Sequence, residues 1–224
     1  TGNVVHASPA VADGLVFVGS WDGRLYAIDA ATGQERWHFQ GGLDPLMANQ
    51  QGFQSSPAVI DGVVYFGSRD SHLYALDART GAEKWRFSTG ASWVVGSPAV
   101  AGGRVLFATS DSSLLHSVDA ATGRAVWQQQ GLAYMFSSPA IAGDVLLIGV
   151  LNGSLEARDR HSGALLWDFR TEASKANPGW ALTADRRING PMLFPSGWGD
   201  ALAVQAQRQF AVGAMFSSPL VAGG

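Results

Sequence analysis

The sequence predicts an all-β chain: a β-propeller of four-stranded antiparallel blades, open as a partial ring and carrying one helical insertion. Two observations predict it. First, the stretch Ala27-Ile28-Asp29-Ala30-Ala31-Thr32-Gly33-Gln34-Glu35-Arg36-Trp37 returns at Ala75 to Trp85, at Ser117 to Trp127 and, more worn, at Ala157 to Trp167. The period is about 40 residues, which means stacked units, each too small to bury its own apolar face. Second, every unit is rich in Val, Phe and Tyr and is broken by Gly about every 8 to 12 residues, which disfavours helical and leucine-rich repeats.

The first unit gives the scheme. Ser8-Pro9-Ala10-Val11-Ala12 is a short strand, with Pro9 tolerable near its start. Asp13-Gly14 is a two-residue hairpin signal. Leu15-Val16-Phe17-Val18-Gly19 is nearly all apolar, as a strand buried on both faces must be. Ser20-Trp21-Asp22-Gly23 turns the chain. Arg24 to Asp29 then alternates, with Leu25, Ala27 and Asp29 on one side and Tyr26 and Ile28 on the other. Thr32-Gly33 closes the third turn, and Arg36-Trp37-His38-Phe39 is the outer strand. The later units repeat the scheme from Ser56-Pro57, Ser97-Pro98 and Ser138-Pro139. The expected blades are about 6–40, 54–88, 95–130 and 136–170. A Trp recurring at one place in each unit reads as packing between neighbouring blades, seated by the Thr-Gly turn and the Asp before it.

After Trp167 the pattern lapses until Ser217-Ser218-Pro219. One reading is a decayed fifth blade, in which Leu193 to Trp198 imitates Val16 to Trp21. The preferred reading is an insertion over about 171–213. Asp200 caps a helix over about 200–211, with Leu202, Ala206 and Phe210 in line, followed by the first strand of a further blade at 214–222. The chain opens at Thr1-Gly2 and stops at Ala222-Gly223-Gly224 in mid-pattern, which suggests an internal piece of a longer product.

Composition removes several function classes. Of 224 residues, 46% are hydrophobic and 15% charged, which suits a substantial core. The formal net charge of −3 and the lack of a basic run argue against a nucleic-acid track. No apolar run reaches the roughly 18 to 20 residues of a membrane span. Cysteine is absent, which excludes disulfides, thiolate metal sites and thiol catalysis. His6, His38, His72, His116 and His161 fall at different blade positions without metal-like spacing. The nucleophile-elbow motif Gly-x-Ser-x-Gly does not occur.

The repeated Ala-x-Asp-x-x-Thr-Gly-x-x-x-Trp resembles the signature of the pyrroloquinoline-quinone (PQQ)-like β-propeller repeat family, over about residues 1–170 and again at Ser217-Ser218-Pro219. The resemblance implies three functional branches. One comprises quinoprotein dehydrogenases holding PQQ and Ca²⁺ over the propeller axis, another the outer-membrane assembly lipoprotein, and the third sensor-like secreted repeat proteins. The dehydrogenases share a vicinal Cys-Cys pair that this chain lacks. A hard cation wants six to eight oxygen ligands, whereas Asp29, Asp77, Asp119 and Asp159 are spread over separate units. The expectation is therefore a non-catalytic, extracytoplasmic (periplasmic) binding or scaffolding module without a cofactor. The alternatives are a fragment of a PQQ- and Ca²⁺-dependent oxidoreductase and a ligand-sensing ectodomain. The expected partner is a protein or peptide, or else a carbohydrate, and not a nucleic acid. Open blade edges call for flanking sequence or another chain.

Strand alternation puts the Asp-Gly and Thr-Gly turns on one face, here called lower, and the Ser-x-Asp turns and inter-blade linkers on the upper face. Length varies mainly in the upper linkers, and variable loops on a rigid scaffold are where binding usually resides. That face offers Met47, Gln50, Gln51, Phe53, Tyr134, Met135, Met215 and Phe216 besides the candidate contacts Trp21, Asp22, Arg69, Asp70, His72, Trp93, Asp111 and Phe136. Exposed aromatics beside a few charges suit recognition of a partner. Trp21, Arg69 and Trp93 have the weakest structural explanation, whereas Phe136 and Phe216 are placed to plug the funnel between inner strands.

Overall fold

Side-chain hydrogen bonds inside each lower turn set the strand geometry. In a computed structural model that describes residues 1–43, 52–176, 182–187, 189, 213–215 and 217–222, Asp29 Oδ1 accepts from the Ala31 and Thr32 amides and from the Thr32 hydroxyl at 2.8–3.1 Å. Asp77, Asp119 and Asp159 do the same, with Ser162 standing in for Thr in the last. The turn's glycine follows with a positive φ, +74° at Gly81, a conformation that glycine adopts without steric cost. Beside each of these turns the ladder between third and fourth strand slips by one residue, as between Ala27 and Ile28.

Four sheets result, each with its strands antiparallel and in sequence order. Blade 1 is β1 (Ala10–Ala12), β2 (Leu15–Gly19), β3 (Arg24–Asp29) and β4 (Glu35–Gln40); blade 2 is β5 (Ala58–Ile60), β6 (Val63–Gly67), β7 (His72–Asp77) and β8 (Glu83–Ser88). Blade 3 is β9 (Ala99–Ala101), β10 (Arg104–Ala108), β11 (Leu114–Asp119) and β12 (Ala125–Gln130); blade 4 is β13 (Ala140–Ala142), β14 (Val145–Val150), β15 (Ser154–Asp159) and β16 (Leu165–Arg170). The chain is thus an all-β, propeller-type array that does not close on itself.

The same contacts join successive blades. Trp37 Nε1 donates to the Ala78 carbonyl, Trp85 to Ala120 and Trp127 to Arg160, at 3.0–3.2 Å. Each indole lies on the turn glycine of the following blade: a Cβ at Gly81 would come within 2.6 Å of the Trp37 ring. On the inner side the repeated Ser-Pro serines form a chain of bonds, Ser8 N to Ser56 Oγ, Ser56 N to Ser97 Oγ, Ser97 N to Ser138 Oγ and Ser138 N to Ser218 Oγ, at 2.8–2.9 Å. Three apolar clusters fill the gaps between blades, around Phe17 and Phe66, around Trp85 and Phe107, and around Leu115 and Ile148. Blade 4 turns its outer apolar face to solvent, with Trp167 50% and Phe169 57% exposed.

The stretch after blade 4 departs from expectation in part. A short helix, α1 (Glu172–Lys175), follows β16 directly, its N-terminus capped by Thr171 Oγ1, which accepts from the Ser174 amide. The helix expected over about 200–211 lies outside the described residues. The further strand expected at 214–222 forms no ladder among its described residues. Ser218 nevertheless continues the inter-blade serine chain.

Candidate functional site

The upper face is built from the second turn of each blade and the linker to the next. Trp21 and Arg69 occupy the same turn position in blades 1 and 2, and Trp93 sits in the linker between β8 and β9. The Arg69 guanidinium carbon lies 4.8 Å from the Trp21 ring centroid and 4.0 Å from that of Trp93. A cation over two indole faces is held electrostatically by both rings. Backbone bonds fix each member: Trp21 N donates to Val4 O, Arg69 N to Gly52 O, and Trp93 O accepts from Ser110 N. His6 meets Trp21 edge-on at 5.2 Å. The result is a stack of alternating indole and guanidinium running from the turn of blade 1, over that of blade 2, to the linker that follows blade 2, all three side chains partly exposed.

Asp111 continues the line. It is exposed, and the Ser92 hydroxyl accepts its amide and that of Ser112, both at 3.0 Å. Burial, and then the Asp111 charge, push the nearby Tyr134 phenol upward. An anionic group therefore flanks the cationic stack one blade further on.

The remaining predicted contacts divide. Asp22 is partly buried and accepts from the Gly2 amide, the Arg24 amide and the Tyr26 hydroxyl at 2.6–3.0 Å. Asp70 needs correction as a contact, because it is only 3% exposed. Its Oδ2 accepts from the Tyr74 hydroxyl at 2.6 Å and from the Gly42 amide at 2.7 Å, so it clasps the incoming linker to blade 2. Burial works to raise the Asp70 carboxyl, but hydrogen bonds from His72, Tyr74 and the turn outweigh it and hold it below the usual range. His72, 3.4 Å from Asp70 Oδ1, is raised in turn, chiefly by its bond to that carboxylate. Burial and the same carboxylate push the Tyr74 phenol far up. Asp70 and His72 thus shape the loop that presents Arg69.

The buried residue of each linker falls one place before the register of Phe136: Phe53, Val94 and Met135 are each fully buried, one in each of the three clusters between blades, while Phe136 is half-buried beside Met135. Gly19 leaves room for this: a Cβ there would lie 2.7 Å from that of Phe53. Met47, Gln50, Gln51 and Phe216 lie outside the described residues. The sequence held no signal for Ser92 as the clamp on the Asp111 turn.

Among the described residues no three or more His, Asp or Glu side chains gather as a metal ion needs. The repeat aspartates spend an oxygen each on their own lower turns. Among the described residues no helix is long and apolar enough to cross a membrane.

Comparison with known proteins places this geometry. A sequence profile described as outer membrane protein assembly factor BamB matches residues 1–52 and 46–215. The structure of BamB from Moraxella catarrhalis is similar with a TM-score of 0.62 and 24% identity, over 74% of this chain and 49% of that one. That of the quinohemoprotein alcohol dehydrogenase from Comamonas testosteroni gives a TM-score of 0.65 and 22% identity, over 75% of this chain and 35% of that one. A curated quinohemoprotein alcohol dehydrogenase from Comamonas testosteroni is 58% identical over 36 residues, or 16% of this chain and 5% of that protein. The chain thus spans about half the length of the BamB structure it matches.

Proposed function

The chain belongs to the family of the outer membrane protein assembly factor BamB, and on that premise we propose that it is a non-catalytic, periplasmic scaffold that binds a protein or peptide on its upper face. The observation that carries the reading is the Trp21–Arg69–Trp93 stack with Asp111 beside it. Indole and arginine side chains offer large, rigid contact area with a directional charge, the composition that dominates binding energy at protein interfaces. Asp22, Asp70 and His72 position the loops, and the half-buried Phe136 adds an aromatic ring to the same face. No cofactor is assigned.

The second reading, a fragment of a quinoprotein oxidoreductase, is favoured by the short stretch shared with the alcohol dehydrogenase. Titration with PQQ and Ca²⁺, followed by absorbance and by equilibrium dialysis, separates the two. The scaffold reading expects no saturable uptake. Tight stoichiometric uptake overturns it.

A further inference from the structure

The repeat supplies its own reference, since any blade junction can be compared residue by residue with the others. On the lower face, a groove opens where the inner hairpin of one blade meets the lower turn of the next. Between blades 1 and 2 it has a volume of about 390 Å³, and Asp13, Leu15 and Ala78 help line it. Between blades 3 and 4 its counterpart is about 180 Å³, lined by Ala101, Gly102, Arg104, Arg160 and His161. The repeat aligns Gly102 with Asp13, Arg104 with Leu15, Arg160 with Ala78 and His161 with Arg79. The second groove thus has no carboxylate at the Asp13 position and places guanidinium groups at the Leu15 and Ala78 positions, while an imidazole replaces the Arg79 guanidinium.

We propose that this groove between blades 3 and 4 is a binding site for a phosphate-class oxyanion, on the face opposite the candidate partner surface. Arg160 is drawn in, with a side-chain exposure of 19%, and its Nη2 lies 3.1 Å from Asp144 Oδ1. His161 Nε2 lies 3.0 Å from the same oxygen. Arg104 stands across the groove, 3.8 Å from Asp119 Oδ2. Asp119 commits its other oxygen to the Thr122 turn, so it offers Arg104 only that long contact. Gly102 has no side chain, and a Cβ built there would lie 3.7 Å from Arg160 Nη1. The floor that Asp13 fills with a carboxylate in blade 1 is thus bare and faces a guanidinium.

Planar guanidinium groups match the oxygens of phosphate with paired, charge-assisted hydrogen bonds. Asp144 is the internal stand-in for such a ligand. Its side chain is 74% exposed, so it swings away at little cost when a dianion takes its place between Arg160 and His161. Asp144 bonds to Arg160 and His161 and Arg104 to Asp119, so the two guanidinium groups that line the one groove are held by separate carboxylates.

Titration of the whole chain at low salt with inorganic phosphate, read by the amide shifts of Gly102 and Gly103, tests the site. Saturable shifts with a dissociation constant on the order of a few millimolar are expected, as for two charge-assisted contacts at a surface. Arg104→Gln and Arg160→Gln each weaken binding about tenfold, and Asp144→Asn strengthens it about fivefold by removing the competing carboxylate. The gain in Asp144→Asn keeps the test decisive even if an arginine variant is poorly folded. Glycerol 3-phosphate, titrated in parallel, separates the sources: preference for it assigns the groove to an esterified phosphate such as a headgroup, and equal binding assigns it to the free ion. No saturable shift with either probe, or the same affinity in wild type, Arg104→Gln and Asp144→Asn, overturns the proposal.

Discussion

The junction between blades 1 and 2 and the junction between blades 3 and 4 share one backbone plan and each hold an apolar cluster, but the second also buries a charged pair where the first has only apolar and aromatic side chains. At the first, Phe53 and Phe66 meet edge-on at 4.9 Å, and Phe39 and Phe66 pack against Tyr74 at 5.0 and 5.4 Å. At the second, Gln129 takes the place of Phe39, Ser117 that of Ala27, Glu156 that of Tyr74 and Arg158 that of Leu76. Arg158 donates to Glu156 Oε2 at 2.7 Å and to the Gly163 and Gln130 carbonyls at 2.9 and 3.3 Å, and both charged residues are almost wholly buried. Glu156 Oε1 has no hydrogen-bond partner among the described residues. The indole-on-glycine contact and the serine bond are the same at both junctions. The rim contacts therefore set the frame, and the filling between them is free to vary.

The largest expected effects come from the filling and from the indoles. Arg158→Leu leaves the Glu156 carboxylate buried without its cation and costs about 3–5 kcal/mol, whereas restoring the blade 2 pair with Glu156→Tyr and Arg158→Leu together is neutral or stabilising by about 1–4 kcal/mol. Urea denaturation of both variants measures it. Equal loss in single and double variants would break the comparison. Trp85→Ala costs about 3–5 kcal/mol, because a docked, 9%-exposed ring leaves a cavity. Trp167→Ala, at a half-exposed ring, costs within about 1 kcal/mol in this chain. The same denaturation curves sharpen the contrast between a covered and an uncovered blade face.

The middle junction adds a pH signature. His116 stands where blade 2 has Tyr74, stacked on Phe107 at 4.8 Å, and burial pushes its imidazole down to about 4. A folded-state value below the unfolded one means that the unfolded chain takes up the proton first. Stability is intact above the unfolded value and drains away as pH falls through the window between the two, by on the order of 3 kcal/mol. His116→Phe should remove that part of the acid loss, measured as the difference in melting temperature between pH 7 and 4. An unchanged difference would refute it. A smaller effect belongs to the turns: Asp77→Ala should cost about 1 kcal/mol, since the Thr80 bonds it accepts are exposed.

The frame was legible in the sequence because every copy must repeat the same contacts. Asp29, Gly33 and Trp37 recur in kind since a latch, a left-handed corner and an indole seat have few chemical solutions. The buried linker residues were not legible in register, because Phe53, Val94 and Met135 share only bulk and Met135 stands next to the larger Phe136. Asp70 read as a surface charge because its partners are the Tyr74 hydroxyl, four residues on in β7, and the Gly42 amide in the preceding linker. The stacking of Arg69 between Trp21 and Trp93 brings together three loops of two blades, a distance that strand alternation alone does not measure.

The most direct test of the partner-binding surface is photo-crosslinking from a benzoylphenylalanine placed at Trp93, compared with one at Gln34 on the lower face of blade 1. The account predicts a discrete protein adduct from position 93 in cells, lost when Arg69→Ala is added, and none from position 34. Adducts from position 34 with none from position 93 would contradict it.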